Sequence, residues 1–251
     1  MKHPLQQAEF YCTCANDEQL PAPGPPEVAF AGRSNAGKSS AINALANRTR
    51  LAFTSKTPGR TQQINFFALR GGALLADLPG YGYAAVPQEL KRHWQEFLAR
   101  YVATRQSLVG LVMVVDVRRG MTALDLDLLA AFLPSSRPVL VLATKCDKLT
   151  PSAQRAAERD FARELQTGFP LHAERIDVIA FSALRRIGVD AAERVIARWL
   201  GEAAPPEAAR PATMPSPRVT PAVSRVARKA ARASNPGAGP AAKKRPRHQG
   251  E

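Results

Sequence analysis

Gly32-Arg33-Ser34-Asn35-Ala36-Gly37-Lys38-Ser39 is the stretch whose reading decides the fold. It matches G-x-x-x-x-G-K-[ST], a loop that cradles phosphates, and its flanks suit that role. Glu27-Val28-Ala29-Phe30-Ala31 before it is short and apolar, as a buried strand is. Ser40 to Asn47 after it reads as a helix with Ile42 and Leu45 on one face. A loop between strand and helix aims unpaired backbone N–H groups and the positive helix end at a polyphosphate. Its glycines admit close backbone approach, Lys38 brings a point charge to the β- and γ-phosphates, and the Ser39 hydroxyl can ligate Mg²⁺. By itself this pattern indicates a nucleoside triphosphate and no more.

Outward from the loop, apolar runs alternate with helical patterns from about Pro25 to Gly201. Strands are expected at Val28–Ala31, Ile64–Leu69, Ala73–Asp77, Leu108–Asp116, Val139–Thr144 and Ile176–Phe181. Helices are expected at Lys38–Ala46, Gln88–Thr104, Leu124–Leu133, Pro151–Leu165 and Val189–Trp199. Leu111-Val112-Met113-Val114-Val115 and Val139-Leu140-Val141-Leu142 are continuously apolar, as parallel strands covered on both faces are. Ile64–Leu69 and Ala73–Asp77, separated by Arg70-Gly71-Gly72, read as a hairpin. The fold class is therefore α/β: a doubly wound, mostly parallel six-stranded sheet with one antiparallel edge strand. Its ligand site belongs at the carboxyl ends of the strands. Residues 1–24, ending in Pro-Ala-Pro-Gly-Pro-Pro, read as an extension that leads into a domain over 25–201.

Further motifs fall at strand ends. Asp77-Leu78-Pro79-Gly80 closes the third expected strand, where a carboxylate can hold Mg²⁺ through a water and the Gly80 N–H can sense a γ-phosphate. Between it and the phosphate loop lies Ser55-Lys56-Thr57-Pro58-Gly59-Arg60-Thr61-Gln62, followed by Gln63. Gly59, Arg60, Thr61, Gln62 and Gln63 are expected beside the nucleotide. Thr61 is the candidate to complete the Mg²⁺ shell when a γ-phosphate is present, with Thr57 as the competitor. Thr144-Lys145-Cys146-Asp147 follows a buried strand. Asp147 can accept hydrogen bonds from N1–H and the 2-amino group of guanine; adenine has neither donor, so one carboxylate separates GTP from ATP. The Lys145 stem is expected over the ring. Phe181-Ser182-Ala183 ends the last strand, where a small residue leaves a backbone N–H for guanine O6. A phosphate-loop ATPase or kinase is the nearest rival, and an RNA-binding scaffold with a structural nucleotide is another.

Gly32-Arg33-Ser34-Asn35 with Gly37-Lys38-Ser39-Ser40, then Lys56-Thr57-Pro58-Gly59-Arg60-Thr61-Gln62 with Asn65-Phe66-Phe67, then Asp77-Leu78-Pro79-Gly80-Tyr81-Gly82-Tyr83-Ala84 together resemble the EngB (YihA/YsxC) GTPases of the TrmE–Era-like class. The resemblance covers roughly residues 25–201. Ala36 stands where that family more often has Val, and Thr144 replaces the Asn of general GTPases. The resemblance implies a GTPase that acts in late assembly of the large ribosomal subunit, contacts its rRNA and proteins, and is tied to cell division and septation. A division regulator without a ribosomal role is the alternative output. Ras-type proteins orient the attacking water with a glutamine after the Asp-x-x-Gly glycine; here that position is Tyr81. In related TrmE–Era-like GTPases an asparagine at the place of Asn35 helps to bind K⁺ beside the phosphates. K⁺-stimulated hydrolysis is thus one expectation, and a purely structural Asn35 is the other. Lys38, Thr61, Gly80 and Asn35 are the expected participants in hydrolysis, with Ser39 and Thr61 on Mg²⁺. Tyr81 and Tyr83 are expected as exposed aromatics that dock a partner, with burial against the following helix as the alternative.

Bulk composition limits the remaining possibilities. Three cysteines, Cys12, Cys14 and Cys146, are too few for a disulfide framework, and Cys12-x-Cys14 has no second pair at metal-ligand spacing. Neither an apolar run long enough to span a membrane nor a signal-peptide core is visible, so a soluble, cytoplasmic monomer is expected. The net charge of +14 is uneven: from Ala203 onward ten Lys and Arg face two Glu, with no aromatic residue. Such a segment cannot bury enough surface to offset its ordering entropy, and a disordered tether to a polyanion such as RNA is expected.

Overall fold

In the computed structural model, residues 5–53, 63–82 and 88–203 are described, with the side chains of 88–95 and 202–203 excepted. The basic tail from residue 204, the segment 54–62 and Tyr83 lie outside the described residues. Twelve named elements build the described fold: β1 (Glu9–Cys14), β2 (Glu27–Gly32), α1 (Lys38–Leu45), β3 (Ile64–Ala68), β4 (Leu74–Asp77), α2 (Gln88–Thr104), β5 (Leu108–Asp116), α3 (Ala123–Phe132), β6 (Val139–Thr144), α4 (Pro151–Gly168), β7 (Ile176–Ala180) and α5 (Val189–Ala203).

The sheet has seven strands in the order β1-β3-β4-β2-β5-β6-β7, one more than the six expected from sequence. The added strand, β1, lies inside the segment read as an extension. Its burial rises along the strand from exposed Glu9 and Phe10 to buried Cys14, and it pairs antiparallel with β3 from Cys14↔Ile64 to Glu9↔Ala68, with a bulge between Phe10 and Cys12. Thr13 and Asn65 share a 2.7 Å side-chain hydrogen bond, and Phe10 meets Phe67 edge-on at 6.3 Å. The expected hairpin forms: β3 runs antiparallel to β4, because a connection as short as Arg70-Gly71-Gly72 cannot make a parallel crossover. Since β1 opposes β3, β3 alone runs against the other strands, and it sits one place in from the edge rather than on it.

Alternation within the continuous apolar strands divides the core into two layers. Leu111, Met113 and Val115 of β5 and Val139 and Val141 of β6 face Phe97, Tyr101, Leu129, Phe132, Phe161 and Leu165 of α2, α3 and α4. Val112 and Val114 of β5 and Leu140 and Leu142 of β6 face Ile42 and Leu45 of α1 and Ile196, Trp199 and Leu200 of α5. Both faces of the sheet are thus covered, as the apolar runs required. Among the described residues no helix is long and apolar enough to cross a membrane.

At the amino end of β2, away from the phosphate loop, a buried ion pair ties three segments together. Glu27 is fully buried and accepts from Arg105 Nε at 3.0 and 3.1 Å, from Arg105 Nη2, and from the Tyr101 hydroxyl at 2.9 Å. Arg105 Nη2 also donates to the Pro21 carbonyl at 2.8 Å. The Pro-rich lead-in is therefore fastened to the end of α2 and to β2.

Candidate nucleotide-binding site

Because β2, β4, β5 and β6 are parallel, their carboxyl ends place distant motifs on one rim. The phosphate loop leaves β2, and Gly37 caps α1 with φ 103°. Only glycine takes that conformation without cost, and it turns the first helical N–H groups into the loop. Asn35 is also left-handed, at φ 66°. Lys38 Nζ pairs with Asp77 Oδ1 at the end of β4, and both side chains are nearly buried. Each group compensates the desolvation of the other, and each is the chemical partner that a magnesium triphosphate requires. Ser39 is buried at the first turn of α1, its hydroxyl 3.5 Å from the Phe53 carbonyl oxygen. A hydroxyl and a carboxylate are hard oxygen donors, so the residues present fit Mg²⁺.

Beyond Asp77, the Leu78 N–H bonds the Phe30 carbonyl at 2.9 Å and the Leu78 side chain is buried. Pro79 is half-buried, and Gly80 lies against the phosphate loop, where a Cβ would come within 3.0 Å of Ser34 Oγ. The Ser34 N–H donates to the Tyr81 carbonyl at 2.9 Å. Tyr81 is not the exposed docking aromatic expected from sequence. Its ring packs half-buried against the core, and its hydroxyl donates to Asp125 Oδ1 at 2.6 Å. Burial and the Asp125 carboxylate both push its phenol upward. The anchor is the capping box of α3, in which Asp125 also accepts from the Thr122 N–H. Arg33 stands against Gly82, with its side chain outside the lining of the base cavity described next.

A cavity of ≈ 690 Å³ opens beside the loop, lined by Gly37, Asn43, Thr144, Lys145, Asp147, Phe181 and Ala183 among others. Asp147 Oδ1 accepts from Ser182 Oγ at 2.7 Å, while Lys148 Nζ is 3.6 Å from Oδ2, beyond hydrogen-bond range. The serine hydroxyl, by stabilising the charged form, holds the Asp147 carboxyl below the usual carboxylate range. A carboxylate fixed at one oxygen and ionised at neutral pH can accept from two donors on a ligand edge. Ser182 thus acts through Asp147, its hydroxyl also accepting from Arg185 N–H at 3.1 Å. Cys146 is buried beneath the cavity rather than lining it; its N–H bonds the Phe181 carbonyl at 3.2 Å, and burial pushes its thiol up to about 11.

The structure gives Thr144 and Lys145, both expected at the site, contacts that the sequence did not indicate, and it adds Asn43, which sequence reasoning missed. Thr144 Oγ1 lies 2.5 Å from the Ala36 carbonyl oxygen and 3.0 Å from that of Val115, so its single proton clamps the phosphate loop to β5 and β6. Asn43 holds the chain after α1, accepting from the N–H groups of Leu51 at 3.0 Å and Ala52 at 2.8 Å. Lys145 Nζ donates to the Asn35 carbonyl at 2.7 Å and pairs with Asp116 at 2.9 Å. Of the residues expected near the γ-phosphate, Gln63 is exposed just before β3. Thr57, Gly59, Arg60, Thr61 and Gln62 lie outside the described residues.

Comparison with known proteins agrees with this geometry. The family model of the 50S ribosome-binding GTPases matches residues 27–145. A protein of Aromatoleum aromaticum named "Probable GTP-binding protein EngB" is 50% identical over 197 residues, covering 78% of this chain and 89% of its own. Its namesake from Azoarcus sp. is 50% identical over 200 residues, covering 80% and 94%. A solved structure named as a probable GTP-binding protein engB superposes with a TM-score of 0.54 at 20% identity, over 70% of this chain and 99% of that one. Era in complex with MgGDPNP and nucleotides of 16S ribosomal RNA gives 0.54 at 22% identity, over 73% and 59%. These structural likenesses carry the fold, and the sequence identities carry the family. A phosphate loop paired with Asp77, an oriented Asp147 and half-identical relatives over most of the chain lead to one assignment: this chain belongs to the EngB family of GTP-binding proteins, and it is a GTPase.

Proposed function

We propose that this GTPase is a switch that assists late assembly of the large ribosomal subunit from the cytoplasm, as a monomer, with normal division and septation depending on it. The observation that carries the switch is the Lys38–Asp77 pair, which GTP and Mg²⁺ must break. In this reading Lys38 turns to the β- and γ-phosphates, and the N–H groups of Gly32 to Ser39 surround them. The Ser39 hydroxyl and Asp77 would hold Mg²⁺, which would supply charge neutralisation at the phosphates. Freed Asp77, Gly80 and Thr61 become the groups that tell GTP from GDP, and the segments 56–62 and 81–87 are the ones expected to order with the γ-phosphate. Asp147 reads N1–H and the 2-amino group of guanine, Ala183 N–H its O6, and Lys145 covers the ring. The ribosomal output is supported by the 50S-binding description of the matched family and by the basic tail, which favours a polyanion without sequence choice.

The test is sedimentation of the full chain, and of the chain lacking residues 203–251, from lysate with GDP or a non-hydrolysable GTP analogue. Co-migration with large-subunit precursors is expected only in the triphosphate state and at lower yield without the tail. Co-migration independent of nucleotide would leave a scaffold, and none at all would remove the ribosomal role.

Tyr81 directs its hydroxyl to Asp125, so it cannot replace a water-orienting glutamine. K⁺ held near Asn35 is the substitute charge in this reading. GTP turnover is expected to rise about tenfold or more in K⁺ over Na⁺ at equal ionic strength, an electrostatic contribution of the oxyanion-hole kind. Equal rates in the two salts would assign Asn35 a structural role alone.

A further inference from the structure

We propose that Asp116 is a positioning residue for the guanine nucleotide: it holds the Lys145 ammonium away from the base-reading carboxylate and, through Lys145, fixes the phosphate loop. The inference rests on the assignment of the larger cavity to guanine. Asp116 ends β5 in register with Thr144, so its side chain stands beside the segment that carries Lys145 and Asp147. It is 4% exposed, and both of its oxygens are engaged. Lys145 Nζ and Arg118 Nη2 lie on Oδ2 at 2.9 and 2.7 Å, while Arg118 Nε and N–H donate to Oδ1 at 3.0 and 3.1 Å. Arg118 bonding first, and Lys145 after it, keep this carboxyl well below the usual carboxylate range.

Lys145 is the shared wall of two cavities. One is the base cavity; the other, of ≈ 240 Å³, lies behind the phosphate loop and is lined by Arg33, Asn35, Asp116, Arg119, Asp125 and Lys145 among others. Lys145 holds a left-handed backbone at φ 60°, opposite Asn35 at φ 66°, and the 2.7 Å bond from its ammonium to the Asn35 carbonyl joins the two. Asp116, 2.9 Å from the same ammonium, anchors the group that makes this bond. Among the described residues lining the base cavity, Asp147 is the sole acid. The other acid lining these two cavities, Asp125, is already taken up by Tyr81 and Thr122, so without Asp116 the lysine would have Asp147 as its alternative anion, and an ion pair there would occupy the group that reads guanine. This gives Asp116 a role in nucleotide retention although it touches no nucleotide.

Release of GDP carrying a fluorescent ribose label, followed by stopped flow in Mg²⁺, tests the proposal on the full chain. Asp116→Asn and Lys145→Met, which keeps the apolar stem but loses the ammonium, are each expected to speed release about tenfold. The double variant is expected to be no faster than the faster single, because both remove one linked interaction. A simple structural role would instead lower the melting temperature and multiply the two rates. Multiplicative rates with guanine preference intact would overturn the role of Asp116 alone. If Asp116→Asn does not fold, Lys145→Met decides, since release as slow as in the parent chain would overturn the proposal. The parent chain is measured with labelled ADP in parallel, and equal retention of ADP and GDP would overturn the guanine assignment and the proposal together.

Discussion

Asp147→Asn should lower GTP affinity about 10³-fold, the scale of two mismatched hydrogen-bonding groups at about 1–3 kcal/mol each, and let xanthosine triphosphate bind in its place. The chemistry follows from what the carboxylate offers. Asp147 has two acceptor oxygens, and Ser182 Oγ donates to Oδ1 at 2.7 Å. In the amide variant Ser182 would again choose the oxygen, because a hydroxyl donor needs an acceptor, and the NH₂ would take the other place. An amide nitrogen there repels the 2-amino group of guanine but donates to the 2-oxo group of xanthine, while its oxygen still accepts N1–H. Buried unpaired donors cost about 1–3 kcal/mol each, and two opposed donors on one edge add to that loss. Competition binding with GTP, xanthosine triphosphate and ATP measures the outcome. Equal loss of all three nucleotides would mean that Asp147 supports the cavity without reading the base.

The second large effect concerns stability. Arg105→Met should destabilise the fold by about 3–5 kcal/mol, because it leaves the fully buried Glu27 carboxylate without its cation. For a domain of this size that corresponds to a fall of roughly 10 °C in Tm. The Tyr101 hydroxyl, 2.9 Å from Glu27 Oε2, cannot replace a two-point guanidinium contact. The Glu27→Gln, Arg105→Met double variant should recover part of the loss, since it removes the stranded charge as well as the pair. Urea unfolding of the parent chain and the two variants reads these differences directly. Guanine nucleotide affinity should hold for each folded variant, because the pair sits at the opposite end of β2 from the phosphate loop. A single variant within about 1 kcal/mol of the parent chain would place Glu27 in contact with water during folding and remove the pair from the core account.

What the sequence revealed was set by how local each signal is. The phosphate loop, Asp77 and Asp147 stand in short motifs at strand ends, and their positions in the parallel sheet follow once the strands are placed. The runs in β5 and β6 are long enough to be buried on both faces, and they are. β1 was not legible because six residues between a terminus and a Pro-rich lead-in show no more than a weak alternation, and its stability comes from pairing with β3 more than fifty residues away. Tyr81 was read as exposed because the residue that holds it, Asp125, is 44 residues further on. Asp116 gave no signal either, since a lone Asp before Val-Arg-Arg fits no motif, and its link to Lys145 exists only when β5 and β6 lie side by side. The Thr144 clamp on Ala36 spans 108 residues and was hidden for the same reason.

The most direct measurement is the affinity of the full chain for GTP and for ATP, taken side by side by calorimetry in Mg²⁺ buffer. GTP is expected to bind about 10³-fold or more tightly than ATP, as one carboxylate facing N1–H and the 2-amino group requires. Comparable affinities for the two nucleotides would contradict the assignment of the cavity beside Asp147 to guanine.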